Sequence, residues 1–206
     1  MSPRTLLEAV QECPDIYKLA ARLERNPDAV YWGAIPSSIN FFDRPANEMT
    51  LIIIPSTALR LEEAYKEAVR HAYPYVKAFG LDNNNARPIV IAIPDLSAAT
   101  PSEVLSSLVD QLSILFNLDG AVLDWRSKLE IMKHIGAPGT FWPLTHAPLA
   151  YVVDIDRVIG HPDTFVLIEA LKSQVVLKNG GQIVFYTSSD ISLQLGIGPG
   201  RVANFH

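Results

Sequence analysis

The sequence predicts an α/β fold: a three-layer sandwich with a mainly parallel central sheet and an N-terminal helical segment packed on it. Three observations carry this. The runs MTLIIIP (49–55), PIVIAIP (88–94), LAYVVDI (149–155) and QIVFYTS (182–188) are apolar almost throughout, as strands buried on both faces are. The stretches between them place apolar residues three and four apart, the spacing of amphipathic helices. The two patterns alternate along the chain, which indicates crossover connections and a parallel sheet.

Taken in order, residues 1–28 form a helical segment within a single domain of 206 residues. TLLEAV and IYKLAARLER carry the helical spacing, with Pro14 at the break and Pro27 at the end. Residues 29–47, with Trp32, Phe41 and Phe42, are aromatic and rich in turn residues. Strand 49–55 leads into helix 57–73, whose stripe is Leu61, Ala64, Ala68 and Ala72. FGLDNNNARP turns the chain into strand 88–94. Helix 100–116 is the clearest: Thr100 caps it, Pro101 takes the first position, Glu103 completes a capping box, and Leu105, Leu108, Leu112 and Leu115 face inward. GAVLD (120–124) is read as a short strand, 124–136 as a helix stopped by Gly136, and GAPGTFWPLTHAP (136–148) as a long loop. Strand 149–155, helix 163–173, strand 182–188 and a turn-rich tail complete the chain.

Composition limits what such a fold can do. Hydrophobic residues make up 49% and charged residues 19%, with a net charge of −5. No apolar run reaches the roughly 18 residues of a membrane span, so the surplus belongs in a core and a subunit interface. Lys and Arg are nowhere concentrated, which argues against nucleic acid as a partner. A lone cysteine, Cys13, and an N-terminus without a sustained apolar stretch point to an intracellular, cytoplasmic protein.

In a parallel sheet, ligands bind beyond the carboxyl ends of the strands. Those ends read Ser56 and Thr57, Asp95 and Ser97, Asp124, Asp154 and Asp156, and Thr187 through Asp190. Capping accounts for Thr57, Thr100, Asp124 and Asp163, each at the start of a helix. Asp154 and Asp156 do not abut a helical stripe and are the candidates for catalysis or metal binding. His71, His134, His146 and His161 lack metal-ligand spacing. GIGPG (196–200) has the glycines of a phosphate loop but no helix after it, and reads as a turn.

The stretch YVVDIDRV, with Asp154 and Asp156 one residue apart, resembles the first motif of haloacid dehalogenase-like phosphatases. QIVFYT, ending in Thr187, is similar to their second motif. The resemblance covers roughly 154–190. It implies that Asp154 attacks phosphorus, that Asp156 acts as acid and base, and that Mg²⁺ balances the charge. The chain departs from the family: Arg157 replaces a small residue, and residues 191–206 supply neither the later lysine nor the further acidic pair. YVVDID also resembles the Walker B strand of ATPases, but GAPGTFWPL has Phe141 and Trp142 where Gly-Lys belongs.

Because each catalytic template lacks an essential part, the reading favoured is a non-enzymatic α/β subunit. It would work by protein association, with a partner protein or a second copy of itself, and without a cofactor. The loop aromatics Trp32, Phe41, Phe42, Phe141 and Trp142 are the interface candidates. The alternative is a metal-dependent phosphotransfer enzyme, or a degenerate nucleotide-binding domain, that uses Asp154, Asp156 and Thr187 with Mg²⁺.

Overall fold

The computed structural model describes residues 48–54, 64, 67, 68, 89–94, 98–141, 144 and 147–204. The expected helical segment 1–28 and the aromatics Trp32, Phe41, Phe42 and Trp142 lie outside them. Five strands form one sheet: β1 (Glu48–Ile53), β2 (Ile89–Ala92), β3 (Leu149–Val152), β4 (Gln182–Thr187) and β5 (Val202–Asn204). Their order is β2-β3-β4-β1-β5, and every pairing is parallel. Four of the five occupy the four apolar runs of the sequence.

The order explains why both faces are buried. The chain moves in one direction across the sheet from β2 to β3 to β4 and on to β5, and in the opposite direction from β1 to β2. Right-handed crossovers therefore put the last three connections on one face and the first on the other. On the first face, Leu51, Val90, Ala92, Ala150, Val152, Ile183 and Phe185 join a single core with the helices. These are α1 (Pro101–Leu112), α2 (Trp125–Gly136), α3 (Pro162–Leu171) and a π-helix (Lys172–Lys178) that continues α3. On the second face, Thr50, Ile52, Ile91, Tyr151, Val184 and Tyr186 are all 0% exposed. Ala64, Glu67 and Ala68, in the β1–β2 connection, are buried as well, and the right-handed crossover rule assigns them to this face. The sheet is thus the middle of three layers.

Local chemistry sets the ends of the elements. Glu103 Nα donates to the Thr100 hydroxyl at 3.3 Å, and Thr100 Nα donates to the Glu103 carboxylate at 3.0 Å, closing the capping box of α1. Leu105, Leu108 and Leu112 below it are fully buried, each worth about 1.5–3 kcal/mol. The Gln111 side chain pairs with both backbone groups of Ile93, at 3.0 and 2.6 Å. It thereby extends the hydrogen bonding of β2, an edge strand, by one residue. Asp124 caps α2 through the amides of Arg126 and Ser127 and the Ser127 hydroxyl, at 3.0, 3.1 and 2.6 Å. Those bonds, led by the Ser127 hydroxyl, hold its carboxyl below the usual carboxylate range.

Several expectations are corrected. GAVLD forms no strand: Ala121 to Leu123 close a tight turn and Val122 is fully exposed. Among the described residues no strand lies beside this apolar run to pair with it. The end of α2 is where the sequence places it, with Gly136 as the last residue of the helix. A Cβ there would come within 3.1 Å of the Ala170 backbone, so glycine is present to let α2 and α3 approach. The cap of α3 is His161, whose Nδ1 accepts from Asp163 Nα at 3.2 Å, while Asp163 sits in the first turn. The tail contains β5, a three-residue strand made by pairing with β1.

Gly181 is the tightest of the described glycines: a Cβ there would run into the Pro148 carbonyl oxygen and ring. That oxygen already accepts from Gln182 Nα at 2.9 Å, the bond that opens β4 beside β3. Gly181→Ala is expected to lower stability by about 1–3 kcal/mol, whereas Gly160→Ala, with open space around it, should leave it within about 0.5 kcal/mol. Urea unfolding of the two variants checks both.

Candidate functional site

Two regions carry the candidate residues: the carboxyl rim of the sheet and an outer groove. At the rim, β3 ends because Asp154 turns into the left-handed region at φ 58°, a conformation that aspartate tolerates better than most residues. Val153 Nα still donates to the Ala92 carbonyl at 2.9 Å, so the ladder closes one residue before the turn. Asp154 itself is buried. The following 3₁₀ turn, Ile155–Arg157, throws the Asp156 side chain back over the end of β4.

There the Asp156 carboxylate is fully engaged. One oxygen accepts from the Thr187 hydroxyl. The other accepts from Ser188 Nα at 2.9 Å and from the Ser188 hydroxyl at 2.6 Å. Ser189 Nα donates to the Thr187 oxygen at 3.2 Å, which orients the hydroxyl toward the carboxylate. Arg157 donates to the Ala98 carbonyl at 2.9 Å and ties the same turn to the approach to α1. The sequence candidates Asp156 and Thr187 are therefore brought together, with Ser188 as a third partner. Asp190 is directed elsewhere: it accepts from Ser192 Nα at 3.0 Å, and bonds from Ser192 lower its pKa.

The β4–β1 boundary is the switch point of the sheet, because their connections leave toward opposite faces. Ser188 and Ser189 border it. Ser56 and Thr57, after β1, and Asp95 and Ser97, after β2, lie outside the described residues. In the phosphatase-like reading Asp154 would attack and Asp156 would exchange a proton with the substrate. Both oxygens of Asp156 accept instead from protein donors, which braces that carboxylate within the rim. Among the described residues no three His, Cys, Asp or Glu side chains stand together in a way that could hold a metal ion.

The second region is an apolar groove of about 620 Å³ on the outer surface, between the end of α2 and the α3–π-helix rod. Ala137, Pro138, Phe165, Val166, Ala170 and Leu177 line it. Its walls are held by unusual caps on α2. Ser173 donates to the Gly136 carbonyl at 2.5 Å, and Lys178 donates to the carbonyls of Ile135 and of Ala137, the latter at 3.2 Å. A cation at a helix C-terminus is favourable, while burial lowers the Lys178 pKa. Phe165 is 42% exposed and Leu177 71%. Phe141, in the loop after α2, is 70% exposed.

Phe165 and Leu177 were not among the sequence candidates. A signal was present: FVLIEAL is apolar on more than one helical face, which leaves side chains that a single core contact cannot cover. No protein-family model matches this chain, and no curated protein matches it in sequence.

Removing the Asp156 carboxylate takes the acceptor from both donors of Ser188 and leaves the Thr187 hydroxyl the Ser189 carbonyl at 3.0 Å. Asp156→Ala is expected to cost about 2–3 kcal/mol of stability, measured by urea unfolding. Phosphatase and ATPase assays with Mg²⁺ are expected to give the same background rate for wild type and Asp154→Asn. Turnover that vanishes with Asp154→Asn would reverse the assignment.

Proposed function

We propose that this protein is a non-enzymatic α/β subunit that associates with a second copy of itself through the α2–α3 groove. The observation that carries the reading is the pairing of a recess with exposed apolar side chains on one face. Phe165 and Leu177 project at the rim of the groove they line. A twofold interface requires such a patch, because each copy must supply both the projection and the recess.

The charges around the groove favour a like partner. Lys133 stands 3.8 Å from Glu130 on α2, and Lys172 4.0 Å from Glu169 at the end of α3. Each wall thus carries both signs, and two copies meeting face to face would not repel. The engaged carboxylate of Asp156 supports the same reading, since it leaves the rim braced by its own hydrogen bonds.

Light scattering coupled to size exclusion tests the proposal. Wild type is expected at twice the 22.7 kDa of one chain, and Leu177→Asp at the mass of one chain. The substituted side chain is exposed, so folding should be retained, with a far-ultraviolet spectrum like that of wild type. A wild-type chain that stays monomeric at about 100 μM, or a dimer unaffected by Leu177→Asp, would overturn it.

A further inference from the structure

On the other side of the π-helix is a smaller hollow of about 270 Å³, where three elements converge. The π-helix supplies Lys172, Val176 and Leu177, which lie four and five residues apart, the spacing that brings π-helical side chains to one side. The start of β1 supplies Met49. The GIGPG segment supplies Gly196, Ile197 and Gly198, followed by Arg201. We propose that this hollow binds a small phosphate-bearing anion between Lys172 and Arg201.

The two cations come from separate, well-anchored elements. Arg201 Nα donates to the Gly198 carbonyl at 2.9 Å, and the next residue, Val202, enters the sheet beside Leu51. The arginine is therefore fixed at its backbone, and its planar fork suits phosphate oxygens. Lys172 is held at the junction of α3 and the π-helix. Its contact with Glu169, at 4.0 Å, is between side chains 37% and 72% exposed. Pairs of that kind are weak and yield readily to a competing anion.

The glycines complete the wall. Ile197 is buried and its amide is bonded to the Ser192 carbonyl at 2.8 Å, which fixes the course of the loop. A Cβ at Gly196 or Gly198 would meet nothing within 4 Å, so the backbone is open there and a ligand can approach it closely. The volume lies just below the range of about 300–1,000 Å³ usual for drug-sized ligands. It suits a phosphate group with a small substituent. The groove of the proposed dimer and this hollow share Leu177, and the Lys172–Glu169 pair stands between them; the inference does not depend on self-association.

Titration of the full chain with inorganic phosphate, followed by amide NMR, tests it. The expected result is a dissociation constant of about a millimolar or below, with shifts at Lys172, Gly196, Gly198 and Arg201. Affinity should fall with added chloride. Lys172→Gln and Arg201→Gln should each weaken binding about tenfold, and Leu193→Ala should leave it unchanged. Lys172 is partly exposed, so its variant remains informative if Arg201→Gln does not fold. Sedimentation with phosphatidylcholine vesicles containing phosphatidic acid separates two sources of the phosphate. Vesicle binding that free phosphate displaces identifies a lipid headgroup; phosphate binding without vesicle binding identifies a soluble ester. Absence of shifts at these amides, or affinity unchanged in both Gln variants, would overturn the proposal.

Discussion

The carboxylate of Asp156 is the point on which the rim of this sheet depends. It gathers the Thr187 hydroxyl and both donors of Ser188, and so joins the turn after β3 to the end of β4. Strands in a parallel sheet are not joined by hairpins, and their ends need separate ties. Asp154 provides the left-handed turn that makes this reach possible, and Arg157 anchors the same turn to the approach to α1. The short sequence DIDR thus serves three structural purposes in succession: it ends the strand, crosses to its neighbour and binds the covering helix layer.

Topology supplies the other constraint. Three crossovers in one direction place α1, α2, α3 and the π-helix on one face, and those helices share a continuous core with the sheet. The reversed β1–β2 crossover uses the opposite face, where Tyr151, Tyr186 and Thr50 are buried. A consequence is that the outer side of α2 and α3 faces away from the sheet, and among the described residues no further layer covers it. The close approach at Gly136 and Ala170 brings these helices together at one end. The caps from Ser173 and Lys178 then fix the walls of the groove.

Much of the fold was legible because burial on both faces leaves a strong trace: LIII, IVIA, AYVV and QIVFY read as strands without knowledge of their neighbours. The capping box at Thr100 and Glu103 and the Asp124 cap were legible for the same local reason. β5 was not, since three residues acquire strand character only from pairing with β1. GAVLD misled because an apolar run has the same composition whether or not a neighbour is available. The acid pair at 154 and 156 could be located from sequence, and its place at a strand end was legible there, but its partners were not. The distance in sequence to Ser188 hides the donors that occupy Asp156. The groove escaped notice because it is formed between helices, by Phe165 and Leu177, and the sequence reading looked for aromatics in loops.

A double-mutant cycle between Asp156 and Ser188 tests the central claim most directly. The variants Asp156→Asn and Ser188→Ala, singly and together, are unfolded in urea and the coupling free energy is obtained from the four stabilities. If the carboxylate ties β3 to β4, the coupling is about 1–3 kcal/mol, and the double variant is less destabilised than the sum of the single ones. Additive losses, with coupling near zero, would contradict the account and show that the carboxylate at position 156 does not hold the rim together.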